Sequence, residues 1–353
     1  MGANLLNILV TLALQSPQPD TSLDTSTTHG IAFERASDLL QYNRVQGLSL
    51  GLGYQVPVSG SAARLHATLR YGISDERVTG RLNFLLNTGR GLLVFSGYHD
   101  ISDLDPFSPG RTVANTVNGL FAGHDNGDYA LARGGSVRFE RPLRAGLDLV
   151  LAGRVDRLSS VSRVARSAVN DFFGGTGLFP PNPRVHEGTF AGIAAQARNR
   201  GRTRWSVTAD LVDGGSRTTG RLYGDLLRRI GRGWGLTLRL KAGAASESPT
   251  PQMLFRQGGV NTVRGFEYGT LRAPAFWAGQ LDVTPFDGRV RPVLFIDAGQ
   301  ASRISRLFSS TAIVGAGVGL SLFRGLLRFD LSQPISPDQG GKVRFDLLVR
   351  TPR

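Results

Sequence analysis

Apolar and polar residues alternate along many segments of this chain. In residues 63–71 one face carries Ala, Leu and Tyr, while the other carries Arg, His and Thr. The same alternation recurs in four other segments: residues 147–156, 204–211, 236–241 and 343–350. Successive side chains of a β-strand point to opposite faces, so this period of two predicts strands with one apolar and one polar face. A tilted strand of roughly ten residues is also long enough to cross a bilayer.

A soluble β-sandwich and a transmembrane β-barrel both produce this alternation. The core of a sandwich mixes large side chains that pack against those of the facing sheet. Here the apolar face is mostly Leu, Val and Ala, with Trp or Tyr near the ends of the runs. That composition is typical of a lipid-facing band with aromatic girdles, and the Arg and Asp of the other face suit a water-filled lumen. The pattern therefore favours an all-β fold, a transmembrane antiparallel β-barrel of the outer-membrane type.

Turns of small or charged residues divide the pattern into fifteen candidate strands. They fall at about 44–56, 63–73, 76–87, 90–100, 130–142, 145–161, 187–200, 203–214, 218–230, 234–246, 273–285, 290–302, 311–323, 325–335 and 342–351. Bacterial single-chain barrels have even strand numbers. The odd count therefore predicts one further strand inside an irregular interval, 101–125 or 163–186.

Composition narrows the class of partner. The chain has 353 residues, no cysteine and a formal net charge of +14, most of it from arginine. A basic protein suggests nucleic acid first, but these arginines recur on the polar faces of successive strands and at turns instead of forming one patch. That distribution argues against nucleic acid. It predicts contact with outer-membrane lipid and lipopolysaccharide, whose phosphates arginine binds well.

The N-terminal region differs from the rest. Residues 5–14 form a short apolar run that resembles the central part of a signal peptide, but no Lys or Arg precedes the run and no Ala-x-Ala site follows it. Two interpretations stay open: residues 1–16 are an export signal, or the chain is the barrel portion of a longer protein. Residues 17–41 begin with Ser, Thr, Asp and Pro and predict a linker or N-terminal extension. The barrel is then expected to span residues 42–353 and to lie in the bacterial outer membrane.

Two motifs near the C-terminal end point to an internal contact. A glycine-flanked arginine loop occupies residues 256–270, with its motif at Gly258, Gly259, Val263, Arg264, Gly265 and Phe266. About thirty positions later, one strand carries three motif residues on a single face: Phe295, Asp297 and Gly299. A loop arginine and an inward-facing aspartate form a favourable ion pair inside a barrel. By parity, Asp282 and Asp330 also face the lumen and are alternative partners for Arg264.

This pair of motifs resembles the outer-membrane assembly-factor superfamily, the bacterial surface antigen family that includes BamA and TamA. The resemblance covers about residues 42–351, including the opening segment 42–48. It implies a barrel of sixteen strands that opens laterally and inserts or translocates proteins, or handles lipid. It also implies that the arginine loop folds into the barrel and docks on the strand of Asp297.

Two features depart from the family pattern. Only some forty residues precede the barrel, so we expect a variant without POTRA domains, with a periplasmic or POTRA-bearing protein as a candidate partner. The last strand also lacks the usual terminal aromatic residue, and Phe345 is the nearest one. Because POTRA domains dock clients in the family, the family's activity does not transfer directly to this chain.

A stripe of glycines supports the docking model. Gly315, Gly317 and Gly319 share one face of a strand whose other face is apolar. A lumen face without side chains leaves room for an inserted loop, and we expect Phe266 to pack beside it. The spacing also resembles a phosphate-binding fingerprint, but no alternating strand and helix pattern surrounds it.

Signals for catalysis are weak. The sequence contains no Gly-x-Ser-x-Gly elbow, its five histidines are isolated, and none has metal-ligand spacing. The segment 124–128 could hold calcium through oxygen ligands, but an acidic turn is the simpler interpretation. We therefore expect no catalytic residues, no metal and no cofactor. A passive pore or surface antigen, and a barrel-embedded hydrolase, remain the alternative functions.

Overall fold

The structure is a computed structural model that describes residues 29–59, 62–172, 174–231, 234–336 and 343–349. The predicted signal peptide, residues 17–28 of the predicted linker and residues 350–353 lie outside the described residues. Nineteen of the described elements are β-strands, and the other eight are short helices or helical turns. No helix in the described ranges combines the length and apolar character needed to span a membrane.

The strands follow one another with short helical turns between them. The first seven are β1 (Gly30–Ile31), β2 (Leu40–Asn43), β3 (Gly47–Ser59), β4 (Ala63–Gly72), β5 (Arg77–Asn87), β6 (Leu92–Asp103) and β7 (Tyr129–Pro142). The next six are β8 (Leu147–Ser160), β9 (Gly188–Asn199), β10 (Thr203–Asp213), β11 (Thr218–Ile230), β12 (Gly235–Ala245) and β13 (Phe255–Gln257). The last six are β14 (Leu271–Ala273), β15 (Ala275–Thr284), β16 (Val290–Ser302), β17 (Ile313–Leu322), β18 (Leu327–Pro334) and β19 (Arg344–Val349).

The described helices are short and lie in the connections. They are α1 (Ala36–Leu39), α2 (Val113–Val117) and α3 (Ala168–Phe172), with a π-helical turn at Asn118–Ala122. Single 3-10 turns occupy Arg144–Gly146, Pro251–Met253, Ile304–Arg306 and Phe323–Gly325.

The sheet forms an antiparallel barrel of sixteen strands. Each strand from β2 to β12 pairs with the next, β12 pairs with β15, and pairing continues to β19. The strand order places β19 beside β2, and we call this boundary the seam. Eleven strands before the arginine loop and five after it give the expected number. The remaining strands are β1, which pairs with β3, and β13 with β14, which form a separate hairpin.

The predicted location of the sixteenth strand was wrong. It is β2, whose four residues lie ahead of the first predicted strand, so the predicted linker 17–41 already contains β1, α1 and the start of the barrel. The intervals 101–125 and 163–186 hold mainly the end of β6, short helices and turns. The first predicted strand also starts late, because residues 44–46 form a turn that ends at Gly47. A strand of four residues is too short for alternation to be recognised.

The barrel is apolar outside and polar inside, as the alternation predicts. On β16, Leu294 and Ile296 are 52% and 46% exposed, whereas Phe295 between them and Asp297 beyond them are 5% and 1% exposed. Such a distribution is the reverse of a soluble sheet, whose buried face is apolar. The long connections follow β6, β8 and β12, so they all lie at the same end of the barrel.

Candidate functional site

The arginine loop folds into a hairpin inside the barrel. Strands β13 and β14 form its base, and the Gly259 N–H donates to Phe266 O at 2.9 Å across its tip. Gly258, Gly259 and Gly265 all have positive φ, at 104°, 83° and 92°. A Cβ on Gly258 would come within 2.0 Å of Glu267 O, so glycine is required there by both conformation and space.

Arg264 is buried, and all three predicted carboxylates surround it. Its Nε and Nη2 donate to the two oxygens of Asp297 at 2.6 Å each, and its backbone N–H donates to Asp297 Oδ2 at 2.9 Å. The same guanidinium reaches Asp282 Oδ1 at 2.7 Å through Nη2 and Asp330 Oδ2 at 3.1 Å through Nη1. Asp297 is therefore the bidentate partner, and the two alternatives bind as well.

Two further guanidiniums complete this network, and sequence reasoning missed both. Arg328 donates to Asp282 Oδ2 at 2.7 Å and to Asp330 Oδ1 at 2.6 Å, and Arg239 donates to Asp282 Oδ2 at 2.8 Å. Among the described residues, three cations then face three carboxylates, so their charges balance. The signal for Arg239 and Arg328 was their strand parity, which places both on the lumen face.

The charge on Arg264 is fixed by this environment. Burial opposes the cation, but Asp297, Asp282 and Asp330 outweigh that effect and raise the pKa of the Arg264 guanidinium above its ordinary value. The Phe295 ring lies beneath it, with Arg264 Cζ 3.7 Å from the ring centroid. A guanidinium over an aromatic face gains further electrostatic stabilisation. Arg264 therefore acts as a permanently charged anchor for the loop.

The glycines of the docking strands make room for the loop. A Cβ on Gly315 would lie 1.9 Å from Arg264 O, and a Cβ on Gly299 would lie 2.7 Å from Gln257 Oε1 and 2.9 Å from Val263 Cγ2. Gly317 and Gly319 instead face Phe295 and Asp330, where a Cβ would come within 2.5 Å and 2.2 Å of side-chain atoms.

Phe266 does not lie beside the whole glycine stripe. It packs with Val263 and Ile313 in a buried apolar cluster at the start of β17. The stripe is covered by the Arg264 backbone and the Phe295 ring instead. The reason is geometric, because the left-handed Gly265 turns the chain sharply between Arg264 and Phe266.

A second inserted segment, the β6–β7 loop (residues 104–128), fills the lumen beside the arginine loop. Arg256 Nε donates to Asp128 Oδ2 at 2.9 Å, and Tyr268 OH donates to Asp105 Oδ2 at 3.0 Å. Asn261 Nδ2 donates to Phe107 O at 2.8 Å. The two loops therefore hold each other in place through polar contacts.

The acidic turn at 124–128 belongs to this loop–loop contact. Asp125 accepts hydrogen bonds from the Arg44 backbone N–H at 2.8 Å, from Arg44 Nε at 3.2 Å and from Tyr129 OH at 2.7 Å. Asp128 pairs with Arg256 and Arg272. Cations already neutralise both carboxylates. Among the described residues, no group of three or more potential metal-ligating side chains is present.

The β6–β7 loop also reaches the seam, a contact that sequence reasoning missed. Asn118 Nδ2 donates to Leu347 O at 2.9 Å, and the Leu347 N–H donates to Asn118 Oδ1 at 2.7 Å. One amide side chain thus forms the pair of hydrogen bonds that a neighbouring strand would form with β19. On the other side, the Tyr42 N–H of β2 donates to Thr116 Oγ1 at 3.2 Å. The loop therefore binds the edges of both the first and the last barrel strand.

Comparisons with known proteins support the fold. A family of unknown function, the DUF5686 C-terminal domain, matches residues 20–160. No curated protein sequence matches the chain. Among solved structures, BamA from Haemophilus ducreyi lacking POTRA domains 1–3 superposes with a TM-score of 0.59 at 13% identity, covering 87% of this chain and 68% of that one.

CdiB from Acinetobacter baumannii superposes with a TM-score of 0.50 at 13% identity, covering 87% of this chain and 57% of CdiB. The chain thus spans little more than half the length of that relative. At this identity both likenesses concern the fold alone, which is an antiparallel β-barrel like those of outer-membrane proteins.

Proposed function

We propose that this protein is a bacterial outer-membrane barrel that inserts or translocates other proteins, or handles lipid, by opening laterally at the seam. It acts without a catalytic site, and a periplasmic or POTRA-bearing protein delivers its clients. Lipid and lipopolysaccharide surround it.

The observation that carries this proposal is the state of the seam. β2 has four residues and the described part of β19 has six, whereas most other barrel strands have ten or more. The Tyr42 N–H and the backbone N–H and C=O of Leu347 form hydrogen bonds with side chains of the β6–β7 loop. Because side chains of the β6–β7 loop take up backbone groups at both edges, we infer that this boundary opens more easily than an internal ladder.

The filled lumen supports the same proposal over a passive pore. Arg264, Arg256 and Asn261 tie the arginine loop to the wall and to the β6–β7 loop. An open channel needs a continuous water-filled path, and two interlocked loops obstruct it. A barrel that is closed along its axis leaves the wall as the route for a client.

The test locks the seam covalently. The sequence has no cysteine, so pairs of cysteines can be introduced between residues 40–43 and 345–348 and closed with a mild oxidant. Liposomes containing the protein are then given an unfolded eight-stranded outer-membrane barrel as client, and its folding is followed by heat-modifiable gel mobility. The reduced protein should accelerate client folding over empty liposomes, and oxidation should abolish the acceleration.

A matched control lock is available in an internal ladder. Leu65 and Phe84 are directly opposite each other on β4 and β5, so a disulfide there leaves the seam free. Oxidation of that pair should not change the rate. If the reduced protein does not accelerate folding of the client, and does not move labelled lipid between leaflets, the assembly and lipid-handling functions are excluded. Equal inhibition by both locks would exclude the seam as the route.

A further inference from the structure

We propose that Arg133 and Arg157, with His99, form a binding site for the phosphate of an anionic glycolipid of the lipopolysaccharide type on the outer surface of the barrel. The site is separate from the lumen network and from the seam. The inference rests on the proposed membrane placement, but it does not depend on any insertion activity.

The position of these side chains is the first argument. Arg133 on β7 shares its face with Val137, and Arg157 on β8 shares its face with Leu151 and Val155, all of which are exposed. The two arginines therefore point outward from the wall. They lie toward the end of the barrel that carries the long connections, which is usually the extracellular end.

The pairing of like charges is the second argument. Arg133 and Arg157 are direct partners across the β7–β8 ladder, and His99 is opposite Arg133 on β6. Cβ atoms of directly opposite residues lie roughly 5 Å apart, and like charges at that separation destabilise a sheet. An anion between the two guanidiniums would remove the repulsion.

Among the described residues, the nearby carboxylates do not pair directly with either arginine. Asp156 lies on the lumen face, where it accepts a hydrogen bond from Tyr98 OH and pairs with Arg154. Glu187 is the acid at the rim: it interacts with the charges of Arg157 and Arg184, but its Oε1 accepts the Ser160 N–H at 2.9 Å. Within the described ranges, neither outward guanidinium has a carboxylate oxygen within 4.0 Å.

The donors are arranged for a phosphate group. Arg133 Nε donates to His99 Nδ1 at 2.8 Å, so that nitrogen carries no proton and the imidazole Nε2–H is available as a further donor. Guanidiniums form bidentate, charge-assisted hydrogen bonds with phosphate, and their long side chains extend along an apolar wall toward the headgroup level. A lipid phosphate held beside exposed Val137 and Val155 would have its acyl chains against the apolar band.

The experiment measures lipid binding in detergent. Purified protein is titrated with short-chain lipopolysaccharide, with phosphatidylglycerol and with inorganic phosphate, and bound lipid is counted by native mass spectrometry. Arg133→Gln and Arg157→Gln should each weaken lipopolysaccharide binding on the order of tenfold, the loss expected for one charge-assisted hydrogen bond. Inorganic phosphate alone should bind weakly, and phosphatidylglycerol should bind less tightly than the glycolipid.

Arg141→Gln is the matched control. Arg141 is also exposed and outward on β7, but it lies at the opposite end and faces Leu149 across the ladder. The Arg141→Gln variant should bind lipopolysaccharide as tightly as the unchanged protein does. An equal loss in Arg141→Gln would reduce the effect to general electrostatics and overturn the site. Phosphatidylglycerol binding as tight as that of the glycolipid would overturn the assignment of the ligand.

A second readout separates binding from folding. Without lipid, Arg133→Gln should unfold at the same or a higher temperature than the unchanged protein, because the cross-strand repulsion is gone. With lipopolysaccharide, the unchanged protein should gain more thermal stability than the variant. A structural role for Arg133 would instead lower the unfolding temperature with and without lipid, and that result would contradict the proposal. Failure of client insertion would leave both measurements unaffected.

Discussion

At the residue scale, Arg264 anchors the arginine loop through the geometry of its guanidinium as much as through its charge. Its guanidinium donates four hydrogen bonds from three nitrogens to Asp297, Asp282 and Asp330, whereas a lysine ammonium has three donors on a single nitrogen. Arg264→Ala should therefore destabilise the protein by about 3–5 kcal/mol, the cost of leaving buried charge unpaired, and Arg264→Lys should recover only part of that loss. Heat resistance on semi-native gels measures the loss of stability in both variants. Arg272→Lys, at a more exposed arginine paired with Asp128, is the control, and wild-type heat resistance of Arg264→Lys would contradict the argument.

The network also predicts how two substitutions combine. Asp297→Ala leaves Arg264 with Asp282 and Asp330, so it should lower heat resistance less than Arg264→Ala does. The double variant should be little worse than Arg264→Ala alone, because both changes remove the same contact. Strictly additive losses would show that the two residues act independently and would argue against docking through this pair.

Gly315 tests whether the loop and the wall touch. Gly315→Ala would bring a methyl group 1.9 Å from Arg264 O, so the loop backbone must move and the ion pairs must lengthen. We expect faster proteolysis within the arginine loop and lower heat resistance. Gly279→Ala is the matched control, because its Cβ would meet Leu240 Cδ2 at an ordinary 3.6 Å. Identical behaviour of the two variants would mean that the loop is not seated against β17.

At the element scale, the β6–β7 loop replaces a strand partner at the seam. Asn118→Ala removes both hydrogen bonds to Leu347, so the β19 edge loses the pairing that Asn118 supplies. We expect amide hydrogen exchange of β19 to rise several-fold, since each lost bond contributes about 1 kcal/mol. Asn199→Ala, which removes only a local bond to the Gly201 N–H, should leave exchange in β19 unchanged. Slow exchange in both variants would show that other contacts close the seam.

At the scale of the whole molecule, we expect the two inserted loops to determine the conductance of the barrel. In a planar bilayer the protein should show small, fluctuating conductance, because interlocked polar loops fill the lumen. Replacement of residues 258–269 by a short Gly-Ser linker removes Arg264 and should produce larger and steadier currents. Single Arg264→Ala should give an intermediate result, with more frequent openings. A large, steady, ion-selective conductance of the unchanged protein would favour the passive pore instead.

Much of the candidate site was predictable because it depends on local rules. Strand alternation placed Asp282, Asp297 and Asp330 on the lumen face, and the glycine spacing around Arg264 marked a sharply turned loop. Strand alternation also placed Arg239 and Arg328 on the lumen face, but nothing in the pattern distinguished them from other lumen arginines. Which carboxylates a loop arginine reaches depends on the closed shape of the barrel, and a sequence pattern does not contain that shape.

The alternation in the sequence thus determined the all-β class, the barrel and the inside-out distribution of polarity, because period-two patterning acts over short distances. The number of sixteen strands and the docked arginine loop were implied by the family resemblance of the two motifs. Only the tertiary structure decided where the seam lies and which residues bind its edges. β2 is too short to produce a pattern, and Asn118 meets Leu347 across more than two hundred residues of chain. The opposed Arg133 and Arg157 likewise depend on register, which neighbouring strands fix together and no single strand encodes.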